Sequence, residues 1–136
     1  MDKLSQLIAR VFLGHIFLLA GISKVGGYEG TQGYMDAMGV PGGLLPLVIA
    51  LQIFGGIAII IGWQVKWASL ALAGFSIIAA VLFHNNFADQ TQMILFMKNF
   101  AMAGGFLLLA SHGAGAYSVD LYRQKKTQAI QFQPTT

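Results

Sequence analysis

Four long apolar blocks, separated by short polar segments, constrain this chain more than any other feature of its sequence. They cover residues 7–23, 44–63, 67–83 and 93–111 of the 136-residue chain. An α-helix rises about 1.5 Å per residue, so a helix of roughly 17 to 25 residues crosses the hydrocarbon of a bilayer. The blocks therefore predict an all-α, polytopic membrane protein that folds as a four-helix transmembrane bundle.

Six of the eight lysine and arginine residues fall on one side of such a bundle. They lie before and early in the first block, between the second and third blocks, and after the fourth, at Lys3, Arg10, Lys66, Arg123, Lys125 and Lys126. The two loops on the other side carry acidic residues and no lysine or arginine between residues 26–43 and 84–92. Positive segments of membrane proteins tend to remain in the cytoplasm. We therefore predict cytoplasmic N- and C-termini, a membrane domain over residues 1–122, and a basic, flexible cytoplasmic tail over residues 123–136.

The first block has a second interpretation. Lys3 to Arg10 could be the charged region of a signal peptide, with Val11 to Gly21 as its apolar core. No small-x-small cleavage site follows this block, which favours a retained membrane span.

Composition excludes several kinds of function. The chain has no cysteine, so it offers no thiolate for disulfide exchange, metal binding or iron–sulfur ligation. Its three histidines lie at three different depths, which predicts no metal or haem site within the membrane. The net charge of +3 is concentrated at the chain ends. Such clusters are typical of contact with anionic lipid head groups, so we expect the lipid bilayer and not nucleic acid as the partner.

Polar residues inside the apolar blocks are the candidates for a functional site, because each ionisable group in a membrane costs at least about 2.5 kcal/mol near its centre. Counted from the outer ends of their helices, Lys98, Gln52 and His15 lie at similar depths of roughly 8–14 Å. We predict that these three residues and Asn99 line a polar, ligand-binding cleft in the outer half of the bundle. Arg10, Lys24 and His84 are predicted to support it, with Arg10 pointing into the bundle from the inner side.

Each of these residues also has a simpler interpretation. Arg10 and Lys24 lie near helix ends, where long side chains reach water. His84 can end the third span at the interface, and His15 can be a structural histidine. Lys98 is harder to explain in this way, because no acidic residue lies within any span to pair with it.

Short motifs along nearly the whole chain resemble one family. They include Ala20-Gly21-x-x-Lys24, Met38-Gly39-Val40-Pro41, Gly55-Gly56, Phe83-His84-x-Asn86-Phe87, Phe96-Met97-Lys98-Asn99, Gly104-Gly105, and Gly113-x-Gly115-Ala116-Tyr117-Ser118-x-Asp120. Their set and order resemble the DoxX family, in particular its short four-helix inner-membrane branch. Members of that family commonly carry an acidic residue shortly before the glycine pair of the second span. Here Gln52 stands at that place, so a buried Glu–Lys pair is not available to Lys98.

The resemblance implies a multi-pass protein of the bacterial inner membrane. Family members are described as candidate oxidoreductases, and some resemble a membrane subunit of a thiosulfate:quinone oxidoreductase. A quinone is therefore the candidate ligand, and a membrane or redox protein the candidate partner. The resemblance leaves open whether this chain is an enzyme, and it assigns no catalytic residue.

Three functions remain open at this point. The first is an accessory subunit that binds a quinone or a similar amphiphile for a membrane oxidoreductase. The second is a non-catalytic scaffold for a partner protein. The third is a path for a small solute, which would need a homo-oligomer because four spans enclose little volume.

Overall fold

The computed structural model of the chain describes residues 2–132, and helices account for nearly all of its regular structure. They are α1 (Asp2–Gly26), α2 (Tyr28–Ala37), α3 (Leu45–Ile61), α4 (Val65–Phe83), α5 (Gln90–His112) and α6 (Val119–Gln131), with a short 3-10 turn at Gly42–Leu44. Four stretches are long and apolar enough to cross a membrane: Lys3–Gly26, Gly42–Ile61, Val65–Phe83 and Gln90–His112. Each contains or closely matches one of the predicted blocks. The prediction of an all-α protein with four membrane spans is therefore confirmed.

The four long helices pack as two pairs. Helix α1 packs along α3, and α5 packs along α4. The α1–α3 pair is close because glycines face each other: a Cβ atom added at Gly56 would lie 2.8 Å from both the carbonyl oxygen of Gly14 and the amide nitrogen of Leu18. Lipid tails are as apolar as leucine, so the dispersion contacts that such close backbone approach allows hold helices together in a membrane.

Aromatic rings join the two pairs at the centre of the bundle. The ring of Phe17 on α1 packs edge-on against Phe106 on α5, with 5.4 Å between ring centroids. It also packs against Phe75 on α4 at 6.3 Å. Around these rings lies a core of buried apolar residues, including Ile59 and Leu72, which are fully buried. Contact between α1 and α5 is otherwise sparse.

One end of the bundle, here called the α6 end, holds the start of α1, the α3–α4 hairpin and the end of α5. The hairpin is tight, and both Gly62 (φ 78°) and Gln64 (φ 49°) adopt left-handed backbone conformations. The Asp120 carboxylate accepts hydrogen bonds from the amides of Gln64 (2.7 Å) and Val65 (2.9 Å) at the start of α4. The Asp120 amide in turn donates to the Gly62 carbonyl oxygen at 2.8 Å. The segment after α5 is therefore fastened to the hairpin.

The opposite end, here called the α2 end, contains a helix that the sequence analysis does not predict. Helix α2 lies in the glycine-rich segment between the first two spans, with Met35 buried against the bundle. It is tied to the start of α3, because the Asp36 carboxylate accepts a hydrogen bond from the Gly42 amide at 2.7 Å.

Helix α6 is the second difference from the predicted secondary structure. It begins at Val119, and the Ser118 side chain caps it by accepting a hydrogen bond from the Leu121 amide at 3.2 Å. Helix α6 covers part of the segment predicted as a flexible tail over residues 123–136, and residues 133–136 of that segment lie outside the described residues. The flexibility and the cytoplasmic location of this segment stay predictions.

Candidate functional site

A cavity lies between the two helix pairs, in the half of the bundle nearer the α2 end. Its volume is about 430 Å³, and α1, α2, α3, α4 and α5 all contribute to its wall. It extends from His84, at the end of α4, to Met102 on α5. Met102 is twelve residues from the start of α5, which corresponds to a depth of about 18 Å along that helix. The cavity therefore reaches towards the middle of the membrane.

The wall of the cavity is mostly apolar and contains four aromatic rings, from Phe17, Tyr34, Phe75 and Phe83. The rings of Tyr34 on α2 and Phe83 on α4 stack with 5.6 Å between centroids. This contact joins α2 to the far end of α4. Apolar and aromatic walls with a few polar groups are typical of small-molecule sites.

Lys24 and Gln52 supply polar groups to this wall. Lys24 is in the last turn of α1 and is half-buried. Gln52 is 4 % exposed, and its side-chain oxygen has no hydrogen-bond partner among the described residues. A buried amide oxygen without a partner costs free energy, so a hydroxyl or amine in the cavity would stabilise this side chain.

His84 and Asn99 complete the polar part of the wall on the α4–α5 side. The Nδ1 atom of His84 lies 2.8 Å from the side-chain oxygen of Gln92. Nδ1 is therefore the ring nitrogen that meets Gln92, and the other ring nitrogen, Nε2, takes no part in this hydrogen bond. The Asn99 side-chain nitrogen donates to the Leu95 carbonyl oxygen at 2.9 Å, which leaves its oxygen as an acceptor.

The structure brings together only part of the predicted site. Gln52 and Asn99 line the cavity, together with Lys24 and His84 from the supporting set. Lys98 and His15 do not line it, and both side chains are exposed on the surface of the bundle. The predicted cleft shared by Lys98, His15 and Gln52 is therefore not what the structure shows.

The reason for this difference is rotation about the helix axes. Depth along a helix follows from counting residues, whereas the direction of a side chain follows from which face of the helix packs on its neighbours. On α1 the packed face carries Gly14, Phe17 and Gly21, and His15 lies across the helix from it. The imidazole Nδ1 of His15 bonds within its own helix, at 2.7 Å from the Phe12 carbonyl oxygen.

Arg10 points into the bundle, as its position predicts, but far from the cavity. It is fully buried at the α6 end, and its guanidinium donates a hydrogen bond to the Tyr117 carbonyl oxygen. The carboxylate of Asp120 partly offsets its charge. Arg10 therefore helps to fasten the segment after α5, and it does not contribute to the cavity wall.

Several residues of the cavity are absent from the sequence-based prediction, mainly Thr31, Tyr34 and Met35 of α2. Their spacing of three to four residues, with Met35 buried, is the spacing of one helix face. That spacing is the signal that could have identified them. Within residues 2–132, no three His, Asp or Glu side chains are grouped so that they could hold a metal ion.

The fold and the cavity define a class of protein: a small, polytopic helical membrane protein with an internal, mostly apolar cavity. The family model of DoxX matches residues 5–85, which is more than half of the chain. The chain belongs to the DoxX family.

Relatives of known location agree with this assignment. The chain is 48 % identical over 126 residues to the inner membrane protein YqjF of Escherichia coli (strain K12), covering 93 % of this chain and 97 % of that protein. It is 35 % identical over 122 residues to the inner membrane protein YphA of the same organism, covering 84 % and 86 % of the two chains. The protein is therefore an integral protein of the bacterial inner membrane.

A more distant relative has a name that refers to an activity. The chain is 28 % identical over 80 residues to "Putative oxidoreductase CatD" of Bacillus subtilis (strain 168), covering 59 % of each chain. No solved structure matches this chain at a significant level.

Proposed function

We propose that this protein binds a small, lipid-soluble amphiphile, with a quinone as the leading candidate, and that it serves as an accessory subunit of a membrane oxidoreductase. The cavity between the two helix pairs carries this proposal. Its volume of about 430 Å³ lies within the range of about 300–1,000 Å³ that is usual for small-molecule sites.

The chemistry of the cavity wall suits a quinone ring. The aromatic side chains would pack against the ring, and the apolar wall would hold the isoprenoid chain. The Lys24 ammonium would donate to one carbonyl oxygen of the ring. The amide of Gln52 and the free nitrogen of His84 would meet hydroxyl groups of the reduced form.

A partner protein is part of the proposal because this chain contains no cysteine to carry electrons through thiol chemistry. The accessory role is supported by the family and by the oxidoreductase name of the Bacillus subtilis relative. Any electron transfer to the bound quinone would then be the work of the partner.

The test is a titration of the purified, full-length protein in lipid nanodiscs with decylubiquinone, in which binding is measured by calorimetry. We expect saturable binding to one site per chain. Ala79→Trp would place an indole in the cavity wall and abolish binding. Ala71→Trp is the matched control, because Ala71 is on the same helix but is exposed on the surface.

The opposite result would remove the proposal. If decylubiquinone shows no saturable binding, or if Ala79→Trp and Ala71→Trp behave alike, the cavity is not a quinone site. Purification from native membranes in mild detergent, with a tagged chain, tests the second part. Recovery of the chain without any oxidoreductase component would contradict the accessory role.

A further inference from the structure

We infer that, besides a neutral quinone, this cavity binds an anionic amphiphile that enters from the surrounding lipid between α1 and α5, with its head group at Lys24. This inference rests on the proposed function, because it concerns the same cavity. It adds a second class of ligand, defined by its negative charge, and the route by which that ligand arrives.

The charge follows from the residues of the cavity wall. Lys24 is a formally charged residue of that wall, and among residues 2–132 no carboxylate belongs to it. A neutral ligand could accept a hydrogen bond from the ammonium but would leave its charge without a counter-ion. A carboxylate would both accept the hydrogen bond and act as the counter-ion. The attraction within such an ion pair is strongest where water is scarce.

The acidic residues near the α2 end do not supply the missing negative charge. The Asp36 carboxylate accepts from the Gly42 amide. The Asp89 carboxylate caps α5, where it accepts from the Thr91 amide at 2.9 Å. Glu29, in the first turn of α2, is exposed. None of these three residues lines the cavity.

The route follows from the packing of the helices. At the α6 end of the cavity, α1 and α5 meet: a Cβ atom added at Gly105 would lie 3.2 Å from the side chain of Leu13. Nearer the α2 end, Ile16 and Ala20 of α1 line the cavity together with Leu95 of α5. Ile16 lines the cavity and is also 46 % exposed. It therefore marks an opening between α1 and α5, here called the lateral opening.

Lys98 stands beside this opening. It precedes Gly105, which lies near Leu13 of α1, by seven residues. Seven residues are close to two helical turns, so Lys98 and Gly105 lie on the same side of α5. The Lys98 side chain is exposed and does not line the cavity. An ammonium at this place would attract an anionic head group in the lipid to the opening.

The experiment compares an acid with its neutral ester. The full-length protein in nanodiscs is titrated with 11-(dansylamino)undecanoic acid and, separately, with its methyl ester, and the increase in dansyl fluorescence is measured. We expect the acid to bind at least ten-fold more tightly than the ester. Lys24→Met should reduce the affinity for the acid to the value measured for the ester. The affinity for the ester should not change. Lys66→Met is the control, because Lys66 is exposed at the α6 end. It should change neither affinity.

The lateral opening is tested in the same samples with lipids that carry bromine on their acyl chains. Bromine quenches a fluorophore only at short range, so a ligand in contact with lipid through the opening should lose fluorescence. Unquenched fluorescence of the bound acid would overturn the route.

The outcomes separate this inference from the proposed function. Equal binding of acid and ester, both displaced by decylubiquinone, would overturn the preference for an anion and leave the proposed function intact. An unchanged preference for the acid in Lys24→Met would also overturn the inference. If neither probe nor decylubiquinone binds saturably, the proposed function itself fails.

Discussion

At the scale of single residues, Arg10 shows how a charged side chain is accommodated inside an apolar helix. It is fully buried, it donates to the Tyr117 carbonyl oxygen, and two of its nitrogens have no partner among the described residues. Arg10→Met would leave the Tyr117 carbonyl unpaired in an apolar setting. We expect a loss of about 1–3 kcal/mol in the free energy of unfolding.

This loss should lower the melting temperature of the purified protein in detergent. The melting temperature is measured by size-exclusion chromatography after heating. Arg123→Met is the matched control, because Arg123 is exposed on α6. An Arg10→Met protein as stable as the control would show that the contact with Tyr117 contributes nothing.

The candidate site residues also differ in how well the sequence predicts their positions. The depth of Gln52 and Asn99 follows from counting along their helices, and both line the cavity. The same counting places Lys98 and His15 at suitable depth, but their side chains face outwards. In a soluble helix the polar face would indicate the rotation. In a membrane, lipid and protein interior are both apolar, so hydropathy gives little information on which face is packed.

At the scale of helices, the close approach of α1 and α3 depends on the absence of side chains at Gly14 and Gly56. A methyl group at Gly56 would meet the backbone of α1 at 2.8 Å, and backbone atoms cannot rotate away. We expect Gly56→Ala to separate the two helices and to lower the melting temperature strongly. It should also weaken ligand binding, since Gln52 is one turn away on α3.

Gly104→Ala is the control for this change. Gly104 is also within a membrane-spanning helix, but a Cβ atom added there would meet nothing within 4 Å. Alanine is favoured over glycine in a helix by up to about 1 kcal/mol, so this variant should be as stable as the original protein or slightly more stable. If the two variants have the same melting temperature, the glycine contact does not determine the packing of α1 on α3.

The helices also differ in how readily the sequence predicts them. The four membrane spans follow from length and hydropathy, because the bilayer imposes both. Helix α2 has no such requirement. The five polar or glycine residues from Glu29 to Gly33 are typical of a loop. It becomes a helix because Met35 is buried and Asp36 bonds the start of α3, contacts that join parts of the chain separated in sequence.

At the scale of the whole molecule, the two ends of the bundle differ in structure and charge. The α6 end is closed by the hydrogen bond from Arg10 to the Tyr117 carbonyl oxygen and by those from the α3–α4 hairpin to Asp120. It is flanked by the basic residues of α6. The α2 end contains the cavity and its polar groups. The cavity therefore lies in the half of the bundle nearer the α2 end, and the orientation of the bundle decides which leaflet that is.

The positive charges predict that the α6 end is cytoplasmic, because moving Lys66 and the basic residues of α6 across the membrane is unfavourable. Fusion of reporters to the C-terminus tests this in bacterial cells. A fluorescent protein that folds only in the cytoplasm should be fluorescent there, and alkaline phosphatase, which is active only outside the cytoplasm, should be inactive. An insertion of alkaline phosphatase in the loop between α4 and α5, after Asn86, should be active. Active phosphatase at the C-terminus would show that the bundle has the opposite orientation. The lateral opening would then face the inner leaflet, where anionic lipids and acids of the cytoplasm would be its source of ligand.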